Sequence, residues 1–150
     1  MDDYLLKNKR LWGKYNAENG YHPAVYHMLD VALVAGAIFE LLDSQEQKLL
    51  IGPFKHSKHP LAALQFLIAL HDLGKLTPGF QLKLKEWESL LSEQGFEWES
   101  VLTDENTNHG YTGYFLLTEL LSQALNLRKE AALGLANAVA GHHGSFFGAI

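Results

Sequence analysis

The chain contains no cysteine. Disulfides and thiolate metal sites are therefore excluded, and the composition is compatible with the cytoplasm. Positive charge is also short: 12 Lys and Arg against 17 Asp and Glu leave a formal net charge of −5. Such a chain does not attract nucleic acid by bulk electrostatics, so any nucleic-acid function needs a local basic patch or bound cations. No apolar run reads as long enough to span a membrane, because charges and glycines interrupt each one, and no membrane partner is expected. Met1-Asp2-Asp3-Tyr4 lacks the basic-then-apolar pattern of a signal peptide. Internal repeats, low-complexity tracts and linkers are missing. β-type alternation is nearly absent, so the expected class is all-α.

What is present is 150 residues with 47% hydrophobic content, most simply one domain over 1–150. The chain is organised around the apolar stretch Leu61–Leu70, preceded by Pro60 and closed by His71-Asp72-Leu73-Gly74-Lys75. Proline suits a first helical turn and glycine a C-terminal stop. A helix apolar on all sides is expected to be buried, yet this one ends in two polar residues. A buried carboxylate is costly unless it is paired or coordinates a metal.

Asn19-Gly20 reads as a turn, and a first helix is expected from about Pro23 to Leu42, with Val25, Leu29, Ala32, Leu33, Gly36 and Phe39 on its core face. A short helix over Ser44–Ile51 takes Ser44 as N-cap. Gly52-Pro53 breaks the pattern, and Lys55–His59 is a short basic loop. After Thr77-Pro78-Gly79 an amphipathic helix covers Phe80–Ser92, and Gln94–Asn108 reads as a polar surface loop. Two further helices run from Tyr111 to Ala124 and from Leu127 to Gly141. The second becomes small and apolar after Glu130, reads as buried, and ends in Gly141-His142-His143-Gly144.

Two helices that look buried thus both end in adjacent polar residues, His71-Asp72 and His142-His143. At a helix end, both members of a pair can reach a cavity beyond the last turn. His27, near one helix start, and His109, at another, complete a set of five imidazoles and one carboxylate. That is enough for two metal ions with Asp72 bridging, an arrangement that activates water and stabilises attacking and leaving oxygens at phosphorus. A single His-Asp dipeptide carries little weight; the joint pattern carries it. His22, His56 and His59 read as solvated or capping residues. Phe66, Trp87, Tyr114 and Phe115 read as core rather than as a base-stacking platform.

At these residues the sequence resembles the HD superfamily of metal-dependent phosphohydrolases, and more narrowly the HD nuclease domain of the CRISPR-associated helicase-nuclease of type I systems. The matching stretches are residues 22–32, then Ala69-Leu70-His71-Asp72-Leu73-Gly74-Lys75-Leu76-Thr77-Pro78-Gly79-Phe80-Gln81, His109-Gly110, and Ala140-Gly141-His142-His143-Gly144. The resemblance implies an HD-domain helical bundle. It implies one metal held by His27, His71 and Asp72, and a second held by Asp72, His109, His142 and His143. It also implies catalytic roles for Asp72, His71 and Lys75, with Lys75 beside a substrate phosphate. The implied substrate is single-stranded DNA, with Lys55, Lys58, Lys75, Lys83 and Lys85 as candidate strand contacts. The implied partners are a CRISPR helicase, fused or separate, and the CRISPR surveillance complex. Imidazole donors favour Mn, Co, Ni or Fe over Mg for the two divalent ions. The family's further aspartate ligand, downstream of the His-His motif, has no counterpart before Ile150, so the chain is expected to be the N-terminal part of a longer HD domain. The rival readings are an HD phosphohydrolase acting on a nucleotide or other small phosphate ester, and an inactive metal-binding or docking fragment.

Overall fold

A computed structural model describes residues 11–16, 18, 20–96 and 108–147. Residues 1–10 and most of the expected polar loop before Asn108 lie outside those residues. The architecture is helical, with one small antiparallel hairpin, β1 (Trp12–Asn16) and β2 (Gly20–Pro23). The hairpin was not expected, because strands of five and four residues are too short for alternation to stand out. The expected Asn19-Gly20 turn falls between the two strands, where Gly20 takes φ +77° and Asn19 lies outside the described residues, and a bulge at Gly13 shifts the register between Trp12 and Lys14.

Helix α1 (Ala24–Leu41) follows directly. Its buried stripe is Ala24, Met28, Ala32, Gly36 and Phe39, whereas Leu29 and Leu33 are exposed. The expected face was therefore correct at Ala32, Gly36 and Phe39 and rotated elsewhere. A helix with apolar residues on several sides gives little phase information, and packing on the next helices decides. By length and composition α1 is apolar enough to cross a membrane, with mean hydropathy 1.6 over its 18 residues, which corrects the expectation that no run is. It also carries Asp30 and Glu40 on its outer side and packs its buried stripe on the rest of the domain.

Helix α2 (Ser44–Ile51) is capped one residue earlier than expected. The Asp43 carboxylate accepts from the backbone of Gln45 and Glu46, while Glu46 accepts from Asp43 N–H, a capping box. A 3-10 turn at Gly52–Phe54 leads through the exposed loop to α3 (Pro60–Ala69), which runs into a 3-10 segment, Leu70–Leu76. The expected single helix over 80–92 is two, α4 (Pro78–Gln81) and α5 (Lys85–Glu93). Helix α6 (His109–Glu119) continues as a π-turn to Ala124, and α7 (Lys129–Ala140) ends in a 3-10 turn at Gly141–His143.

The core joins Met28, Leu67, Leu70, Tyr114, Leu117, Leu121, Ala132, Ala136 and Ala140. Neither α3 nor α7 is buried all round. Among α3 residues only Leu67 is buried, and Phe66 is 49% exposed; α7 exposes Ala131, Gly134 and Ala138. Phe115 is likewise 54% exposed, while Tyr114 is core as expected. Composition reports how apolar a helix is, not how many neighbours cover it. The outer sides of α1, α3 and α7 instead border an apolar cleft of about 410 Å³, lined by Leu64, Ile68, Leu135 and Val139, with His71 and His142 also on its wall.

Candidate metal centre

The site is built from four segments that meet at Asp72. The helical hydrogen-bond ladder of α3 tightens to 3-10 after Ala69, and Asp72 itself sits at φ −104°, ψ 19°, a kink. The kink lets two neighbouring side chains converge, with His71 Nε2 3.2 Å from Asp72 Oδ2. The end of α7 repeats the device: the chain tightens to 3-10 through His142 and His143 and stops at Gly144, φ +80°.

His27 enters from the first turns of α1 and places Nε2 3.1 Å from Asp72 Oδ2. His109 enters from the first turn of α6, whose N-terminus is capped by Asn108 Oδ1 accepting from Gly110 N–H. Small residues bring that turn close enough. A β-carbon on Gly74 would lie 1.9 Å from the His109 carbonyl oxygen, and one on Gly110 would lie 3.1 Å from the Ala140 carbonyl oxygen. Both ligand-bearing 3-10 segments therefore rest against the start of α6 where side chains are absent.

The two carboxylate oxygens divide their neighbours. Oδ2 faces His27, His71 and the Lys75 ammonium, the last at 2.7 Å. Oδ1 faces His109 at 3.3 Å and His142 at 3.4 Å, and His143 Nε2 lies 3.1 Å from His109 Nε2. All six expected donor residues thus come together, and Lys75 joins them at the carboxylate. The ligand atoms of His27, His71 and Asp72 lie within 4.8 Å of one another, as do those of Asp72, His109, His142 and His143. His22, His56 and His59 stay outside the cluster; His22 pairs with Asp30 at 2.9 Å. Lys55, Lys58, Lys83 and Lys85 are exposed, while Lys75 is buried.

The protonation pattern suits metal ligands. His71 Nδ1 donates to the Ile68 carbonyl and His142 Nδ1 to the Val139 carbonyl, at 3.0 and 3.2 Å. A carbonyl only accepts, so Nδ1 carries a proton, and Nε2 is the nitrogen turned inward that a metal would take. Burial, reinforced by the Lys14 charge, pushes His27 below its usual range. Burial and the neighbouring His143 do the same for His142. For Asp72 burial acts upward, but His109, His71 and Lys75 outweigh it and hold the carboxyl far below the ordinary carboxylate range. Among the described residues no donor is aligned as a hydrogen bond on the buried Oδ1. An orphaned carboxylate oxygen ringed by imidazole nitrogens is a costly arrangement that a divalent cation would satisfy, so the residues fit a metal.

Sequence reasoning gave no role to the residues that hold this cluster in place. Gln81 is fully buried: its Oε1 accepts from Trp12 N–H, and its Nε2 donates to the carbonyls of Trp12 and Lys75. Trp12 Nε1 returns a bond to the Gln81 carbonyl, and the Trp12 ring stacks on Phe80 at 4.4 Å. Lys75 Nζ also donates to the Gly13 carbonyl. The hairpin is thereby locked to the segment carrying His71, Asp72 and Lys75. A glutamine between Phe80 and Leu82 is the one signal the sequence offered. Buried Asn137 similarly accepts from Phe147 N–H, tying down the chain after His143.

The sequence profile of the family described as Cas3, HD domain, matches residues 12–149. The chain belongs to the Cas3 HD-domain family. It is 33% identical over 135 residues to the CRISPR-associated endonuclease/helicase Cas3 of Thermus thermophilus, covering 89% of this chain and 14% of that protein. It is 28% identical over 157 residues to the CRISPR-associated nuclease/helicase Cas3 of Streptococcus thermophilus, covering 91% of this chain and 16% of that one. The Escherichia coli K12 endonuclease/helicase Cas3 is 30% identical over 151 residues, with 89% and 17% covered. The chain thus spans less than a fifth of the length of these relatives. No solved structure matches significantly. The Cas3 HD match begins at Trp12, so the Trp12–Gln81 lock falls within it along with all six donors.

Proposed function

We propose that this Cas3 HD domain is a metal-dependent nuclease that cleaves phosphodiester bonds of single-stranded DNA in type I CRISPR interference, an antiviral defence. The observation that carries the reading is the division of imidazoles between the two oxygens of one buried carboxylate. His27, His71 and Asp72 would hold one divalent ion, and Asp72, His109, His142 and His143 a second. Two such ions supply a lowered water pKa and Lewis-acid stabilisation of the phosphoryl oxygens. Asp72 contributes the negative charge that keeps two cations close. His71 and His142, fixed through Nδ1, keep Nε2 aimed inward. Lys75 orients Asp72 and adds positive charge where a phosphate would arrive. Imidazole donors favour Mn, Co, Ni or Fe over Mg.

The relatives are named nuclease/helicases, which supports a helicase, fused or separate, as the source of the strand, with the CRISPR surveillance complex as recruiter and the cytoplasm as location. The test is to incubate the purified chain with circular single-stranded DNA and, separately, mononucleotides, with Mn²⁺, Ni²⁺, Mg²⁺ or chelator. Metal-dependent linearisation of the circle, strongest with the transition ions, is expected. Turnover of mononucleotides alone would replace the nuclease reading with a small-ester phosphohydrolase. Absence of any turnover, with metal bound, would favour an inactive docking fragment.

A further inference from the structure

We propose that the β1–β2 hairpin is a stacking lip for single-stranded nucleic acid beside the metal centre, an inference that rests on the nuclease reading and adds a binding surface to it. Tyr15 and Tyr21 are cross-strand partners, 51% and 39% exposed, and both rings meet Trp87 of α5 edge-on, at 6.5 and 4.7 Å. Edge-on support from Trp87 fixes the tyrosines while leaving ring surface outside. A depression of about 440 Å³ is lined by Lys14, Tyr15, Asn16, Gly20, Tyr21 and His22, a size that suits a small polar ligand such as one nucleotide.

The two faces of the ribbon divide the contacts: Tyr15 and Tyr21 turn toward Trp87, while Lys14 and His22, one position along each strand, turn to the opposite face, beside the centre. Lys14 pairs in register with His22, whose ring lies 6.2 Å from the ring of His27, and His27 Nε2 lies 3.1 Å from Asp72. A strand whose phosphate reached the carboxylate cluster would pass the Lys14–His22 side first and meet the tyrosines through the depression that all four residues line. Aromatic faces with a neighbouring lysine are how proteins hold single strands without reading their sequence: the rings stack any base and the cation follows the backbone. In a chain of net charge −5, a lysine at this position supplies what the bulk charge does not. Duplex bases, already stacked on each other, gain nothing from such a lip.

The experiment is fluorescence anisotropy with labelled oligothymidylate in chelator, so that strand binding is read without cleavage. Tyr21→Ala should weaken binding about tenfold, the scale of one lost base–aromatic stack. Tyr21→Phe, which keeps the ring face, should restore it. Lys14→Gln should lower the slope of log affinity against log salt by about 0.7, the loss of one phosphate contact on a single strand. Unchanged affinity of Tyr21→Ala, or equal affinity of the wild type for duplex DNA, would overturn the lip. Hydrolysis of bis(4-nitrophenyl) phosphate with Mn²⁺ reports the metal centre separately. Ester hydrolysis without strand binding would overturn the lip and leave the hydrolytic reading standing. Tyrosine-dependent strand binding without ester hydrolysis would do the reverse.

Discussion

Gly74 and His109 meet backbone to backbone, with room at Gly74 for a hydrogen and nothing larger: a β-carbon there would sit 1.9 Å from the His109 carbonyl oxygen. Gly74 lies three residues after His71, in the same 3-10 segment as His71 and Asp72. Gly74→Ala must push α6 away and take His109 with it. It should cost about 1–3 kcal/mol in urea unfolding, the usual penalty of overpacking. Titration calorimetry should show a weakened Mn²⁺ site as well. Full metal affinity in a destabilised variant would mean that α6 tilts without moving His109.

Asp72→Ala removes the group that all the donors share. Without metal, Lys75 would lose its carboxylate and keep the Gly13 carbonyl and the Phe80 ring, and breaking a buried ion pair costs about 3 kcal/mol. With metal, the wild type should gain stability, about 2.7 kcal/mol at a hundred times Kd, and the variant much less. Thermal unfolding with and without Mn²⁺ reads both effects. Equal metal-dependent gains would remove Asp72 from the ligand set.

Gln81→Ala should cost about 2–3 kcal/mol, because it strands the buried N–H of Trp12 and the carbonyls of Trp12 and Lys75 together. Denaturant titration measures it. A neutral result would mean that water replaces the amide and that the Trp12–Phe80 contact, the Trp12 Nε1 bond to the backbone carbonyl of residue 81 and the Lys75 bond to Gly13 hold the hairpin without it.

Acid should destabilise the metal-free domain before it reaches the carboxylate range. His27 and His142 have folded pKa values below the ordinary 6.5, so the unfolded chain takes up protons there first. Their contribution is complete above 6.5 and is lost as pH falls through the folded values. Asp72, held far below its ordinary 3.8, adds a second loss beneath that pH. Melting temperatures in chelator should therefore decline from neutral pH to about pH 5. A flat profile would mean that these imidazoles take up protons in the folded domain as they do in the unfolded chain.

The residues that converge on Asp72 were legible in the sequence because each sits where an apolar helix begins or ends, and a polar residue there stands out against its neighbours. His27, His71, Asp72, His109, His142 and His143 all came from such positions. Gln81 was not legible, since its partner Trp12 lies 69 residues away and no local window contains both. The phase of α1 was only partly legible, because a helix apolar on several sides offers little contrast to orient it. The break between α4 and α5 and the shift of the α2 cap to Asp43 are single-residue choices made by hydrogen bonds, below the resolution of periodicity. The hairpin fell short for the same reason as any ribbon of four or five residues.

The donors of the carboxylate cluster are strung along the chain from His27 to His143, most of its described length. Two cations sharing Asp72 would close two loops, one from His27 to Asp72 and one from Asp72 to His143, as disulfides do in a secreted domain. Loop closure of that size removes on the order of 4 kcal/mol of unfolded-state entropy. A chain without cysteine would then owe part of its resistance to heat and proteases to the ions of its reaction centre, and a chelator would loosen the whole domain as well as silence it.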